Sequence, residues 1–127
     1  SFKATMGGNI SSANNQGLRI RTSLGGVIIE DSGFRDMVIH NNDVWVLSMN
    51  YTIREIGGVG SASVYTLGEF STIKVAGDVV TGFSFSESND TTFSTTVDNI
   101  LKITVEWETN NAGNSITTET FVLNKTF

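Results

Sequence analysis

The stretch Asp43-Val44-Trp45-Val46-Leu47-Ser48-Met49-Asn50-Tyr51-Thr52-Ile53-Arg54-Glu55 decides the fold. Trp45, Leu47, Met49, Tyr51 and Ile53 fall on one face, and Ser48, Asn50, Thr52 and Arg54 fall on the other. Successive side chains of a strand point to opposite faces, so this period of two predicts a half-buried antiparallel strand. A helix would scatter the same five apolar residues round its cylinder and leave no stripe.

A second run shows the same period. From Asn99 to Glu108, Leu101, Ile103, Val105 and Trp107 share one face, and Lys102, Thr104, Glu106 and Glu108 share the other. The loop Thr109-Asn110-Asn111-Ala112-Gly113-Asn114 then tolerates positive φ, and Ser115 to Lys125 alternates again through Thr117, Glu119, Phe121 and Leu123. The spacing predicts a C-terminal hairpin. Shorter runs bounded by Gly, Asn or Asp cover Leu18–Thr22, Gly26–Glu30, Met37–His40, Ser61–Leu67, Phe70–Val75, Val79–Phe85 and Thr91–Val97. The expected fold is all-β, one sandwich or barrel over residues 1–127, built from about ten short antiparallel strands.

Composition narrows the chemistry. The 127 residues suit one domain, and with no cysteine or proline there is no disulfide, no thiolate and no slow X-Pro isomerisation. Residues 1–54 carry five Lys/Arg against four Asp/Glu, and residues 55–127 carry three against nine. The acidic balance argues against nucleic acid as a partner. No apolar run is long enough for membrane insertion as a helix, and the N-terminus lacks the apolar core of a signal peptide. A chain starting at Ser1 is expected to be a processed form or a fragment, such as the C-terminal head of a longer chain.

Met37-Val38-Ile39-His40-Asn41-Asn42-Asp43-Val44-Trp45-Val46-Leu47-Ser48-Met49 resembles a signature of the tumour-necrosis-factor/complement jelly-roll superfamily, in which a tight turn precedes an aromatic that opens a long amphipathic strand. Lys74-Val75-Ala76-Gly77-Asp78-Val79-Val80 looks like a second signature, and Glu119-Thr120-Phe121-Val122-Leu123-Asn124-Lys125 is similar to the closing strand near the trimer axis. The family usually has Gly where Asp43 stands and Tyr or Phe where Trp45 stands. The acidic strand with its Trp, the turn and the closing strand also resemble the ends of viral and phage fibre or spike proteins. The resemblance implies a jelly roll of ten strands, a homotrimer, and a fibre-head role at a virion surface or in another extracellular setting, attaching to a cell-surface receptor or glycan.

Candidate chemistry is sparse. His40 is the single histidine, so a Ser-His-Asp hydrolase has one possible base, against the plainer reading of a strand-end residue. Zinc lacks ligands, whereas calcium could take oxygens from Asn41, Asn42 and Asp43, from Glu30-Asp31 or from Glu87-Ser88-Asn89-Asp90. Asn/Asp clusters are also ordinary turn formers. Glu106 and Glu108 project from a polar face, where solvated charge is the default, and Trp45 and Trp107 lie on apolar faces that favour core packing over sugar stacking. The expected protein is non-catalytic. Its binding residues are sought in the loops, at Gly57, Gly58 and Gly60, at Glu87, Asn89 and Asp90, and at Asn110, Asn111 and Asn114. A surface adhesin or carbohydrate-binding module is the alternative, and a hydrolase using His40 a remote one.

Overall fold

The computed structural model describes residues 1–74, 76–77 and 79–126. Among these residues there are nine strands and no helix: β1 (Phe2–Ser12), β2 (Gln16–Leu24), β3 (Val27–Asp31), β4 (Arg35–Met37), β5 (His40–Glu55), β6 (Ser63–Lys74), β7 (Val79–Asp90), β8 (Leu101–Trp107) and β9 (Ser115–Lys125). They form two antiparallel sheets. Sheet I has the order β7-β6-β5-β1-β9. In sheet II, β2 is central, with β8 on one side and β3 and β4 sharing the other.

The alternating run at Trp45 seeds sheet I as its period requires. Trp45, Leu47, Met49 and Tyr51 are buried on β5, and β1 and β6 bring Ala4, Met6, Ile10, Val64 and Phe70 beside them. Sheet II closes the core with Leu18, Ile20, Leu24, Ile29 and Met37. Side chains on both inner faces interdigitate, as in β-sandwiches generally. Two polar pairs tie the sheets through this core. The Tyr51 hydroxyl donates to Thr22 Oγ1 at 3.2 Å, and the Thr66 hydroxyl donates to Glu30 Oε2 at 2.6 Å.

Several boundaries differ from the sequence reading. β1 is not among the expected strands; its Gly7-Gly8 pair lies opposite a bulge in β9. Ser61–Leu67 and Phe70–Val75 are one strand through Gly68, and β7 runs on past Phe85 to Asp90. Met37 ends β4 and His40 begins β5, so Met37–His40 is no single strand. Residues 91–100 are irregular, and Phe93 from this segment plugs the core.

The expected C-terminal hairpin does not form. β8 pairs with β2 in sheet II, and β9 pairs with β1 in sheet I. The connecting loop is held to the start of β2 instead: the Glu108 amide donates to the Gly17 carbonyl at 2.9 Å, Thr109 bonds Gln16, and Asn114 Nδ2 donates to Gln16 Oε1 at 2.9 Å. The bulge also shifts the alternation of β9. Ile116 and Thr118 share the inner face with Phe121 and Leu123, whereas Thr117 pairs with outward-facing Asn9.

The two long sides of the sandwich differ. On one, β3 packs against β7 and Arg35 lies over the Phe83 ring at 5.3 Å. On the other, β8 and β9 diverge, leaving a cleft of about 340 Å³ lined by Phe2, Phe93, Leu101 and Leu123.

Candidate functional site

His40 and Asp43 come together at the start of β5. Asn42 takes a φ of 51°, which folds the chain so that His40 Nδ1 lies 2.8 Å from Asp43 Oδ2. The Asn41 amide donates to the same oxygen at 3.3 Å, and the Asn42 amide donates to Ser11 Oγ at 2.8 Å. Both His40 and Asp43 are buried. This is the base-and-orienter half of a triad. The other half has no counterpart: His40 Nε2, where a nucleophile would hand over its proton, has no hydrogen-bond partner among the described residues. Ser12, opposite His40 in the ladder, donates its hydroxyl to the Val38 carbonyl at 3.0 Å.

The same geometry bears on calcium. Asp43 is buried with its Oδ2 engaged by His40 and Asn41, and the Asn41 and Asn42 side chains are exposed. Among the described residues no three His, Cys, Asp or Glu side chains converge as a metal site. Val75 and Asp78 of the second signature lie outside the described residues.

The loop candidates separate to opposite ends of the sandwich. Gly57, Gly58 and Gly60 form a loop after β5 that is braced by residues 91–95: the Gly60 amide donates to the Thr91 carbonyl and the Thr95 amide to the Gly57 carbonyl, each at 2.9 Å. Glu87, Asn89 and Asp90 belong to the last turn of pleat in β7 rather than to a loop, and lie at this end. Asn110, Asn111 and Asn114 lie at the other end, where Asn114 Oδ1 accepts from the Ala13 amide at 3.3 Å, near Asn41, Asn42 and Asp43 beside the end of β1. No one surface gathers all of them.

A contrast between the two outer faces runs across the whole molecule. Sheet II carries an ion network: Asp31 accepts from Arg19 Nε at 2.9 Å and Arg21 Nε at 3.3 Å, and Arg21 Nη1 lies 3.5 Å from Glu106. Burial would raise the Asp31 carboxyl, but the Arg19 hydrogen bond and charge outweigh it and hold it below its ordinary value. Sheet I is different. Four cross-strand rows face outward, Lys3–Asn50–Leu67–Ser86, Thr5–Ser48–Glu69–Ser84, Gly7–Val46–Ser71–Gly82 and Asn9–Val44–Ile73–Val80, with Lys3 and Glu69 as their charged members. Val44, Val46, Ile73 and Val80 cluster there and are exposed. A hollow of about 530 Å³ lies over β6 and β7, lined by Glu69, Ser71, Val80 and Ser84. The sequence shows the Ser, Thr and Asn that make this face; only the strand order shows that five strands add them into one surface.

Glu30 gives a pH-dependent test of the core. Burial pushes its carboxyl above the ordinary 4.5, and the hydrogen bond from Thr66 offsets this in part. The folded state therefore holds a proton that the unfolded state releases, and stability falls as pH rises from the ordinary glutamate range through the raised folded value. Glu30→Gln is expected to remove this decline. Urea midpoints between pH 4 and pH 8 check it, and a decline of equal size in the variant would refute the assignment.

No family model, curated protein or solved structure matches the chain.

Proposed function

We propose that this domain is a non-catalytic assembly and attachment module, the trimeric head of a virion or phage fibre or spike that meets a cell-surface receptor or glycan. The observation that carries the reading is the charge-poor outer face of sheet I, with Lys3 and Glu69 the charged members of its four central rows, set against the ion network of sheet II. Interface cores are depleted of charge, whereas a solvated face is where ion pairs are tolerated at little cost. The Val44, Val46, Ile73 and Val80 cluster supplies apolar area for packing, and its Ser, Gly and Asn neighbours allow close approach.

The jelly-roll order is the finer form of this reading. In its favour, β9 returns from sheet II's last strand to lie beside β1, a Greek-key type of return. Against it, β5, β6 and β7 are successive hairpin neighbours in one sheet. An adhesin or carbohydrate-binding module of the same architecture is the second reading, favoured by the hollow over β6 and β7 with its hydroxyl-bearing rim. The hydrolase reading has only the His40–Asp43 pair behind it.

Sedimentation equilibrium at micromolar concentration tests the assembly. The expected mass is three times the chain's 13.7 kDa or a whole multiple of that, reduced by Val46→Lys, whose side chain faces outward and leaves the core intact. A single-chain mass at all concentrations would overturn the trimer.

A further inference from the structure

β9 is an edge strand of sheet I with an apolar centre. It borders sheet I along Ser115–Lys125, and three consecutive side chains at its centre, Phe121, Val122 and Leu123, are each about half exposed (51%, 50% and 51%). An edge strand presents unpaired N–H and C=O groups and is normally guarded by Pro, by inward charges or by a covering element. The opposite edge, β7, meets β3 along part of its length. β9 has no proline, and its charged residues, Glu119 and Lys125, flank the apolar centre.

Their spacing singles out one partner. When β9 is laid antiparallel to a second β9 about a two-fold axis at Val122, Phe121 meets Leu123 of the other copy, Thr120 meets Asn124, and Glu119 meets Lys125. Shifting the centre to Phe121 sets Glu119 against Leu123 and Lys125 against Thr117, and shifting it to Leu123 sets Phe121 against Lys125. Only the Val122 register pairs the acid with the base and the Phe with the Leu, each twice by symmetry. Directly opposed pairs of these kinds stabilise antiparallel ladders, and like charges in the same position destabilise them. A two-fold contact is isologous, so one strand must be complementary to itself, and β9 is.

We propose that two copies of this chain join edge to edge through β9, centred on Val122, making one continuous sheet across the two-fold axis. This goes beyond the trimeric reading, because a two-fold and a three-fold contact are separate interfaces.

Native mass spectrometry of the full chain tests it and keeps the two readings apart. Six chains are expected if both contacts form and two if the β9 contact stands alone. Three chains, or one, would overturn the β9 contact, and three would leave the trimer intact. Lys125→Glu, which sets Glu119 against a second acid, is expected to weaken the two-fold association by about tenfold or more, and adding Glu119→Lys to it is expected to restore the association. Circular dichroism confirms that each variant folds. An unchanged two-fold population in Lys125→Glu, or no recovery in the doubly exchanged chain, would overturn the Val122 register.

Discussion

Trp45→Ala is expected to cost about 3–5 kcal/mol and to leave the domain largely unfolded at 37 °C. The indole is 1% exposed and stacks on Phe70 with ring centroids 5.9 Å apart, so its removal opens a large cavity between β5 and β6. It also does something no aliphatic residue can. Trp45 Nε1 donates to the Thr117 carbonyl at 2.9 Å, satisfying a backbone oxygen that the β9 bulge turns inward. Trp45→Phe separates the two contributions: it keeps most of the ring contact but orphans that carbonyl, at about 1–3 kcal/mol. Urea titration followed by circular dichroism measures both. A loss below about 2 kcal/mol for Trp45→Ala would mean that β5 is not the centre of the core.

Gly8→Ala is the second large effect, expected at about 3 kcal/mol. A Cβ at Gly8 would fall inside contact distance of the same Thr117 carbonyl oxygen and 2.8 Å from its carbon. The obstacle is backbone, so no side-chain rotation relieves it, and the bulge or the β1–β9 ladder has to give way. Gly58→Ala is the matched control, since a Cβ there meets nothing within 4 Å. Equal thermal midpoints for the two variants would show that the bulge carries no strain. Trp45, Gly8 and Thr117 thus form one device: the glycine admits the bulge, and the indole satisfies the carbonyl that the bulge displaces.

That device also explains what the sequence hides. Alternation along Asp43–Glu55 and Leu101–Trp107 reveals two strands because burial on one face is a local pattern, and both lie where the period puts them. Gly68 reads as a break because glycine is the common turn residue. Here Gly8 admits a backbone oxygen and Gly68 faces the Phe85 ring and the Met49 sulfur, so these glycines mark close approach inside a strand. The absent β8–β9 hairpin has a different cause. Loop composition signals only that a chain can turn, whereas pairing depends on partners far away, β2 for β8 and β1 for β9.

The candidate site was legible to the same extent. His40 and Asp43 are three residues apart in sequence, yet their contact depends on the left-handed backbone at Asn42. The loop candidates were found one by one, and their division between two ends follows from strand lengths and directions that composition does not encode. The polar residues of sheet I's outer face were visible as alternating Ser48, Asn50 and Thr52; their confluence with Thr5, Ser71 and Ser84 is a product of register.

The absence of cysteine makes the central claim, that the outer face of sheet I is buried between copies while that of sheet II is solvated, open to direct measurement. Val46→Cys and Thr104→Cys each introduce one thiol, on sheet I and sheet II respectively, at positions exposed in the single chain. Maleimide labelling of the assembled protein is expected to be at least about tenfold slower at position 46 than at position 104, with the two rates converging in urea. Equal rates under native conditions at micromolar concentration would contradict the account.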